Sequence, residues 1–242
     1  MQNKKKLFRN LGIIFFYTGI LVGMVIFILM NWANFEAYFY FGYFPPADKT
    51  LTTLRCPLLM TPSDIEAVTI NITNDTDRDL SPLIRTEISS LGTTRSEEAN
   101  YLLAAGETSK LSWTVTSADM VFGHLVLARV YVYRVFTLPS QADTCGTVVV
   151  DLPGLTGIQL FVIALAFSLA CMGAGWGLWL GGSRPLQTEG VIARRAMTIF
   201  TVIVLLGILA GCFGWWIVGV LCTVLSVMMI FVVVAYYIQK TD

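Results

Sequence analysis

The chain has 242 residues, 55% of them hydrophobic and 13% charged, against roughly 25% charged in an ordinary soluble domain. With a mean hydropathy of +0.69, this composition excludes an ordinary globular protein and points to several membrane spans. The net charge is zero but unevenly placed: residues 48–151 hold 13 acids and 8 bases, and the remainder holds 3 acids and 8 bases. A chain sorted by charge in this way is sorted by a membrane.

Residues 1–10 carry Lys4, Lys5, Lys6 and Arg9, and residues 11–30 follow with no charge. Twenty such residues make enough helix to cross about 30 Å of hydrocarbon, so a first transmembrane helix is expected over 11–31. A cleaved signal peptide is the rival reading. Its apolar region runs about 7–15 residues and ends in a small-x-small site, which Asn31-Trp32-Ala33-Asn34 does not supply. An uncleaved anchor with a cytoplasmic N-terminus follows from the four bases ahead of the run.

Residues 32–47 form an aromatic segment, with Trp32, Phe35, Tyr38, Phe39, Tyr40, Phe41, Tyr43 and Phe44 close together. Trp and Tyr favour the headgroup layer because each has an apolar body and one polar handle. Trp32, Tyr38, Tyr40 and Tyr43 are therefore expected at the interface, and a contact surface for a partner or a lipid is the sharper alternative. Pro45-Pro46 ends any helix there.

From 48 to 152 the periodicity turns from helical to alternating. Strands are expected over 65–73, 83–90, 110–116, 122–136 and 147–152, with turn chemistry at 74–82, at Gly92-Thr93-Thr94 and at Ala104-Ala105-Gly106-Glu107. Short strands separated by regular turn signals predict an antiparallel sandwich. Arg129 and Arg134 fall in opposite phases of the 122–136 strand, so one must leave the core or a bulge intervenes.

Residues 155–180 predict a second transmembrane helix, in which Gln159 is the only strongly polar side chain and Trp176 and Trp179 mark the far interface. A cytoplasmic loop is expected over 181–196, with Arg184, Arg194 and Arg195 against Glu189. Residues 197–238 then run without a charge, long enough for two spans, 197–214 and 217–238. The turn between them is expected near 211–216, where glycine permits reversal and Trp215 and Trp216 anchor. Residues 239–242 form the C-terminus. Four helices place both termini and the 181–196 loop in the cytoplasm, with 48–152 extracytoplasmic in a cell membrane.

Of the five cysteines, Cys171, Cys212 and Cys222 lie in apolar runs and read as small hydrophobes. Cys56 and Cys145 bracket the polar stretch on the oxidising side, where a disulfide can persist; two unpaired thiols are the alternative. Glycines recur at four-residue spacing: Gly19 and Gly23, then Gly173, Gly177 and Gly181, then Gly207 and Gly211. Such spacing lets helix backbones approach closely, either within one bundle or with another membrane subunit. No ionisable residue falls inside an expected span, which argues against transport or proton-coupled chemistry.

Asp75, Asp77 and Asp79 have the spacing that opens a calcium loop, but Leu80 and Thr86 stand where an EF-hand wants Gly and Glu. A solvated acidic turn and an inter-strand calcium site both remain open. Asn71-Ile72-Thr73 and Asn74-Asp75-Thr76 fit the glycosylation acceptor pattern. His124 is the one histidine, and no Gly-x-Ser-x-Gly turn, metal-spaced cluster or phosphate loop accompanies it. No cofactor and no nucleic-acid partner is expected.

The run LLAAGETSKLSWTVTS over 102–117, FGHLVLARVYVY over 122–133 and the late CGTVVVDL over 145–152 resemble bacterial immunoglobulin-like domains of the CARDB or NEW3 kind. The likeness spans 64–152 at most. It implies an immunoglobulin-like β-sandwich, an adhesive or spacer role and no active site; the cysteine pair is not part of that pattern. The whole then reads as four transmembrane helices with a sandwich inserted after the first. The role expected is non-enzymatic: an interaction, scaffold or accessory subunit of a cell-envelope complex, with membrane lipid and a membrane protein or second copy as partners. A claudin-like or channel-auxiliary protein is the alternative, although Gly177-Leu178-Trp179 falls in an expected helix rather than in the outer loop.

Overall fold

The computed structural model describes residues 2–42, 47–136, 138–183 and 188–241. The chain forms two compact units, one of residues 1–31 with 161–242 and one of residues 32–160. The described residues form four helices, α1 (Gln2–Tyr40), α2 (Gly157–Gly182), α3 (Thr188–Phe213) and α4 (Trp216–Thr241), and nine strands. Three of the helices are long and apolar enough to cross a membrane, over Lys5–Tyr40, Gly157–Gly182 and Gly190–Phe213, and Trp216–Val232 is a shorter apolar helix among the described residues.

Helix α1 continues well past the expected span. No Gly or Pro interrupts residues 24–41, so nothing breaks the helix until Gly42, whose φ of +65° and amide bond to the Phe39 carbonyl at 3.1 Å close it. The aromatic segment is thus helical through Tyr40. Tyr43, Pro45, Pro46 and Arg184 lie outside the described residues. Helix α3 begins at Thr188 instead of 197, because Ala193, Arg194, Arg195, Ala196 and Met197 are all good helix formers. Glu189, Arg194 and Arg195 therefore sit on helix and not in a loop. Gly214, at φ +73°, separates α3 from α4.

In the β unit the strands are β1 (Lys49–Thr50), β2 (Leu59–Met60), β3 (Glu66–Thr73), β4 (Leu83–Ser90), β5 (Thr93–Asn100), β6 (Thr108–Val115), β7 (Met120–Val121), β8 (Leu125–Val132) and β9 (Gln141–Val149). One sheet runs β1-β9-β8-β4-β5, with β2 on the same edge of β9 as β1 and β7 against β8; β3 and β6 form a second, two-stranded sheet. The two sheets share one core. Val68, Ile70 and Ile72 of β3 and Trp113 and Val115 of β6 meet Ile84 and Ile88 of β4 and Val126, Val130 and Val132 of β8.

This is a mixed sheet, where an antiparallel sandwich was expected: β1 and β2 both pair with β9 in parallel. They are two residues each, too short to show any alternation in the sequence. Strand β5 begins at Thr93, inside the Gly92-Thr93-Thr94 stretch whose chemistry predicts a break. Its eight residues, TTRSEEAN, are almost wholly exposed, so no apolar period marks it; the Leu91-Gly92 turn, with Gly92 at φ +77°, folds it back on β4 in register from Ser90 to Leu83. The 122–136 strand is also divided. Phe122 and Gly123 both have positive φ and turn the chain from β7 into β8, which ends at Val132. That ending resolves the phase conflict, since Arg134 has left the strand and pairs with Asp48 at 2.6 Å.

Candidate functional site

Two short helical segments inside the β unit, residues 32–40 and 157–160, are held to its strands by specific contacts. Residues 32–40 of α1 belong to the β unit and pack on the face of the large sheet away from the shared core. A Cβ on Gly146 would collide with the Ala33 carbonyl, so helix and strand backbones touch there and only glycine fits. Ala33 and Ala37 are fully buried. Asn34 Oδ1 accepts a hydrogen bond from the Gly146 amide at 3.1 Å. From there the helix passes toward β8, where the Arg129 guanidinium donates to the Phe41 carbonyl at 3.0 Å and lies 5.1 Å from the centre of the Phe41 ring.

Arg129 is paired across the sheet with Glu87, whose side chain is 7% exposed. The guanidinium binds Glu87 Oε2 through Nε at 2.5 Å and through Nη2 as well. Arg85 reaches Glu87 Oε1 at 2.6 Å. A buried carboxylate held by two guanidiniums has both oxygens satisfied. The same arginine holds the Phe41 carbonyl just past the end of α1, where a cation also complements the helix dipole. Next to it, Ser89 Oγ donates to the Asp119 carbonyl and accepts from the Leu127 amide, both at 2.8 Å.

The exit is built as tightly. Thr156 and Gln159 cap α2 reciprocally: the Thr156 hydroxyl accepts from the Gln159 amide at 3.3 Å and Gln159 Oε1 accepts from the Thr156 amide at 3.1 Å. Asp64 Oδ2 accepts from the Gly157 and Thr61 amides, each at 2.8 Å. Burial pushes the Asp64 carboxyl up, but the Gly157 and Thr61 bonds outweigh it and hold the group below the usual carboxylate range. A Cβ on Gly157 would collide with the Leu59 carbonyl.

Cys56 and Cys145 form a disulfide, with Cα atoms 5.8 Å apart and a sequence separation of 89. It ties the segment between β1 and β2 to the middle of β9. On that strand, burial pushes the Asp143 carboxyl up to about 6, against the Thr144 amide and the Arg55 charge, which pull it down.

Other sequence candidates have structural partners. Asn74, within the second acceptor pattern, is fully buried and donates to the Arg78, Leu103 and Ala104 carbonyls while its Oδ1 accepts from Thr76; Asn71 is exposed on β3. Asp79 accepts from the Ala105 amide at 3.1 Å, and Asp75 and Asp77 are exposed. Among the described residues no group of three His, Cys, Asp or Glu side chains could hold a metal ion. His124 is exposed beside the Phe122 carbonyl.

In the helical unit, Gly19 backs onto Met172 and Ser168, Gly23 onto Val204, Gly207 onto the Phe27 ring and Gly211 onto Met30. Gly173, Gly177 and Gly181 have open space where a Cβ would point. The contact between α1 and α2 instead uses Gly12, Gly19, Gly175 and Gly182 with Ser168, small residues seven apart. The four-residue glycine spacing does not show that period, although a seven-residue repeat is the ordinary mark of left-handed helix pairs. Sequence reading also passed over Asn31. It is 3% exposed, donates to the Phe27 carbonyl at 2.7 Å and to the Gly207 carbonyl of α3 at 3.2 Å, and fills the space beside Gly219 of α4. A lone amide at the end of an apolar run was the available signal. Trp32, Tyr38 and Trp215 are exposed, Tyr40, Trp176 and Trp216 are half-buried, and Trp179 is buried.

No protein-family model matches the chain, and no curated relative matches it. The functional reading rests on the residues themselves.

Proposed function

We propose that the protein is a non-enzymatic, membrane-anchored interaction or accessory subunit of a cell-envelope complex, and that its β unit is an immunoglobulin-like sandwich displayed outside the cytoplasm. The observation that carries this reading is the use of the unit's ionisable groups. Glu87, Arg129 and Asp64, three charged groups of low exposure, hold the two helical segments of the domain in place, with Arg85 bracing Glu87. What is left for recognition is the outer surface, including the exposed strand β5 with Arg95, Glu97 and Glu98. The disulfide supports the extracytoplasmic placement, since such bonds persist in oxidising compartments. The excess of bases beside the apolar helices supports cytoplasmic termini.

The test is purification of the full chain from native membranes in mild detergent. A stoichiometric membrane-protein partner, lost when Arg95, Glu97 and Glu98 on β5 are replaced by Ala, is the expected result. A chain that purifies alone after in-membrane cross-linking, or that hydrolyses a substrate or passes ions by itself, overturns the reading.

A further inference from the structure

We propose that the end of the helical unit where α1 and α3 begin binds anionic phospholipid headgroups through Lys5, Lys6, Arg9, Arg194 and Arg195. The inference rests on the membrane reading and adds a ligand to it.

The five cations share one end of the unit. At Gly182, the last residue of α2, a Cβ would lie 2.8 Å from the Arg9 amide nitrogen and from the Lys5 carbonyl, so α2 ends against the first turns of α1. Helix α3 starts six residues later. It packs parallel to α1, with Gly23 facing Val204, Phe27 facing Gly207 and Met30 facing Gly211. Carried down the two helices, that register brings Gly190 level with Arg9. Arg194 and Arg195 then lie about one helical turn, roughly 6–7 Å, further into the unit than Arg9. The charges form two tiers at one end.

All five side chains are exposed. Among the described residues none of them makes an ion pair. In the whole of 1–31 and 161–242 the sequence holds two acids, Glu189 and Asp242, against eight bases. That charge calls for an external anion.

The neighbours identify which kind. Leu7, Phe8 and Leu11 are exposed among the α1 cations, and Val191 and Ile192 are exposed beside Arg194 and Arg195. A soluble acidic protein would leave those apolar side chains in water. A phospholipid meets both needs at one depth, with acyl chain against the apolar groups and phosphate against the cations. Long basic side chains at this depth reach toward the headgroups along their own apolar stems, and each base near an anionic surface strengthens binding severalfold. The deeper pair, Arg194 and Arg195, offers planar guanidiniums suited to bidentate phosphate contact.

The experiment uses the full chain, first located by sedimentation of carbonate-washed membranes. After extraction, the protein is equilibrated with an equimolar mixture of phosphatidylglycerol and phosphatidylcholine, and retained lipids are counted by native mass spectrometry. The expected retention favours phosphatidylglycerol by at least about fivefold and weakens with salt. In K5Q/K6Q/R9Q/R194Q/R195Q the ratio falls to near one; in R194K/R195K most of the preference stays. If the quintuple variant fails to insert, R194Q/R195Q, which leaves the N-terminal charges in place, must still lower the ratio. A wild-type ratio near one, an unchanged ratio in the variants, or complete displacement by inorganic phosphate overturns the proposal. Recovery of the chain in the soluble fraction would instead remove the membrane reading beneath it.

Discussion

Asn34, on the last turns of α1, accepts a hydrogen bond from the backbone amide of Gly146 in β9 at 3.1 Å. The bond is possible because nothing stands between the helix and the strand: the Ala33 carbonyl occupies the place a Gly146 side chain would take. Gly146→Ala is therefore expected to destabilise the β unit by about 1–3 kcal/mol or more, since the clash is with backbone and cannot be relieved by a rotamer change. Asn34→Ala leaves a buried amide without its acceptor, a loss of about 1–3 kcal/mol. Chemical denaturation followed by Trp113 fluorescence measures both. A Gly146→Ala protein as stable as wild type would mean that α1 does not lie on the sheet.

Glu87 and Arg129 couple the sheet to the same helix end. Glu87→Gln takes the carboxylate away from Arg129 and is expected to cost about 3–5 kcal/mol, whereas Arg129→Met leaves Glu87 held by Arg85 alone and should cost less. The double replacement Glu87→Leu with Arg129→Met removes both charges and should recover much of the loss. A double-mutant cycle on the unfolding free energy reads the coupling; simple additivity would show that the pair does not act as a unit.

These contacts mark where sequence reading succeeds and where it stops. The apolar helices and strands such as β3 carry their own period and are legible from the residues they contain. Strand β5 was not, because an exposed edge strand has no buried face and its place is set by β4 and by the Leu91-Gly92 turn. The 141–146 half of β9 was missed for the opposite reason: α1 covers one face and the core the other, so Ala142, Cys145 and Gly146 show no alternation. Arg129 is a charge on a core strand whose partner, Glu87, lies 42 residues away. Asn34 lay in a segment read as an interfacial collar, and its partner lies 112 residues away. Long-range pairing of this kind leaves no local period to read.

The disulfide between Cys56 and Cys145 closes a loop of 89 residues in sequence separation. In the chain-entropy model such a loop is worth roughly 4–5 kcal/mol. Cys56→Ser with Cys145→Ser should lower the unfolding free energy by about that amount. The wild-type protein under strong reductant should fall to the same level. Equal denaturation midpoints with and without reductant would contradict a bridge that constrains the unfolded chain.

Two carboxylates set opposite pH dependences for the β unit. Asp143 is raised from its ordinary 3.8 to about 6 by burial, so the folded state holds its proton more tightly than the unfolded state does. The stability linked to that proton is fully present below about pH 4 and is lost as pH rises through about 6. Asp64 is lowered: burial raises it, but the Gly157 and Thr61 bonds prevail. Its contribution is present above the ordinary carboxylate pKa and is lost as pH falls below it. Asp143→Asn should therefore raise the thermal midpoint at pH 7.5 and leave it nearly unchanged at pH 3.5. Asp64→Asn should lower the midpoint at pH 7.5, and its effect should shrink in acid. Calorimetry of both variants across that range separates them. If Asp143→Asn lowers the midpoint at pH 7.5, the Asp143 carboxylate is stabilised by its surroundings, the Thr144 amide and then Arg55, and not penalised by burial.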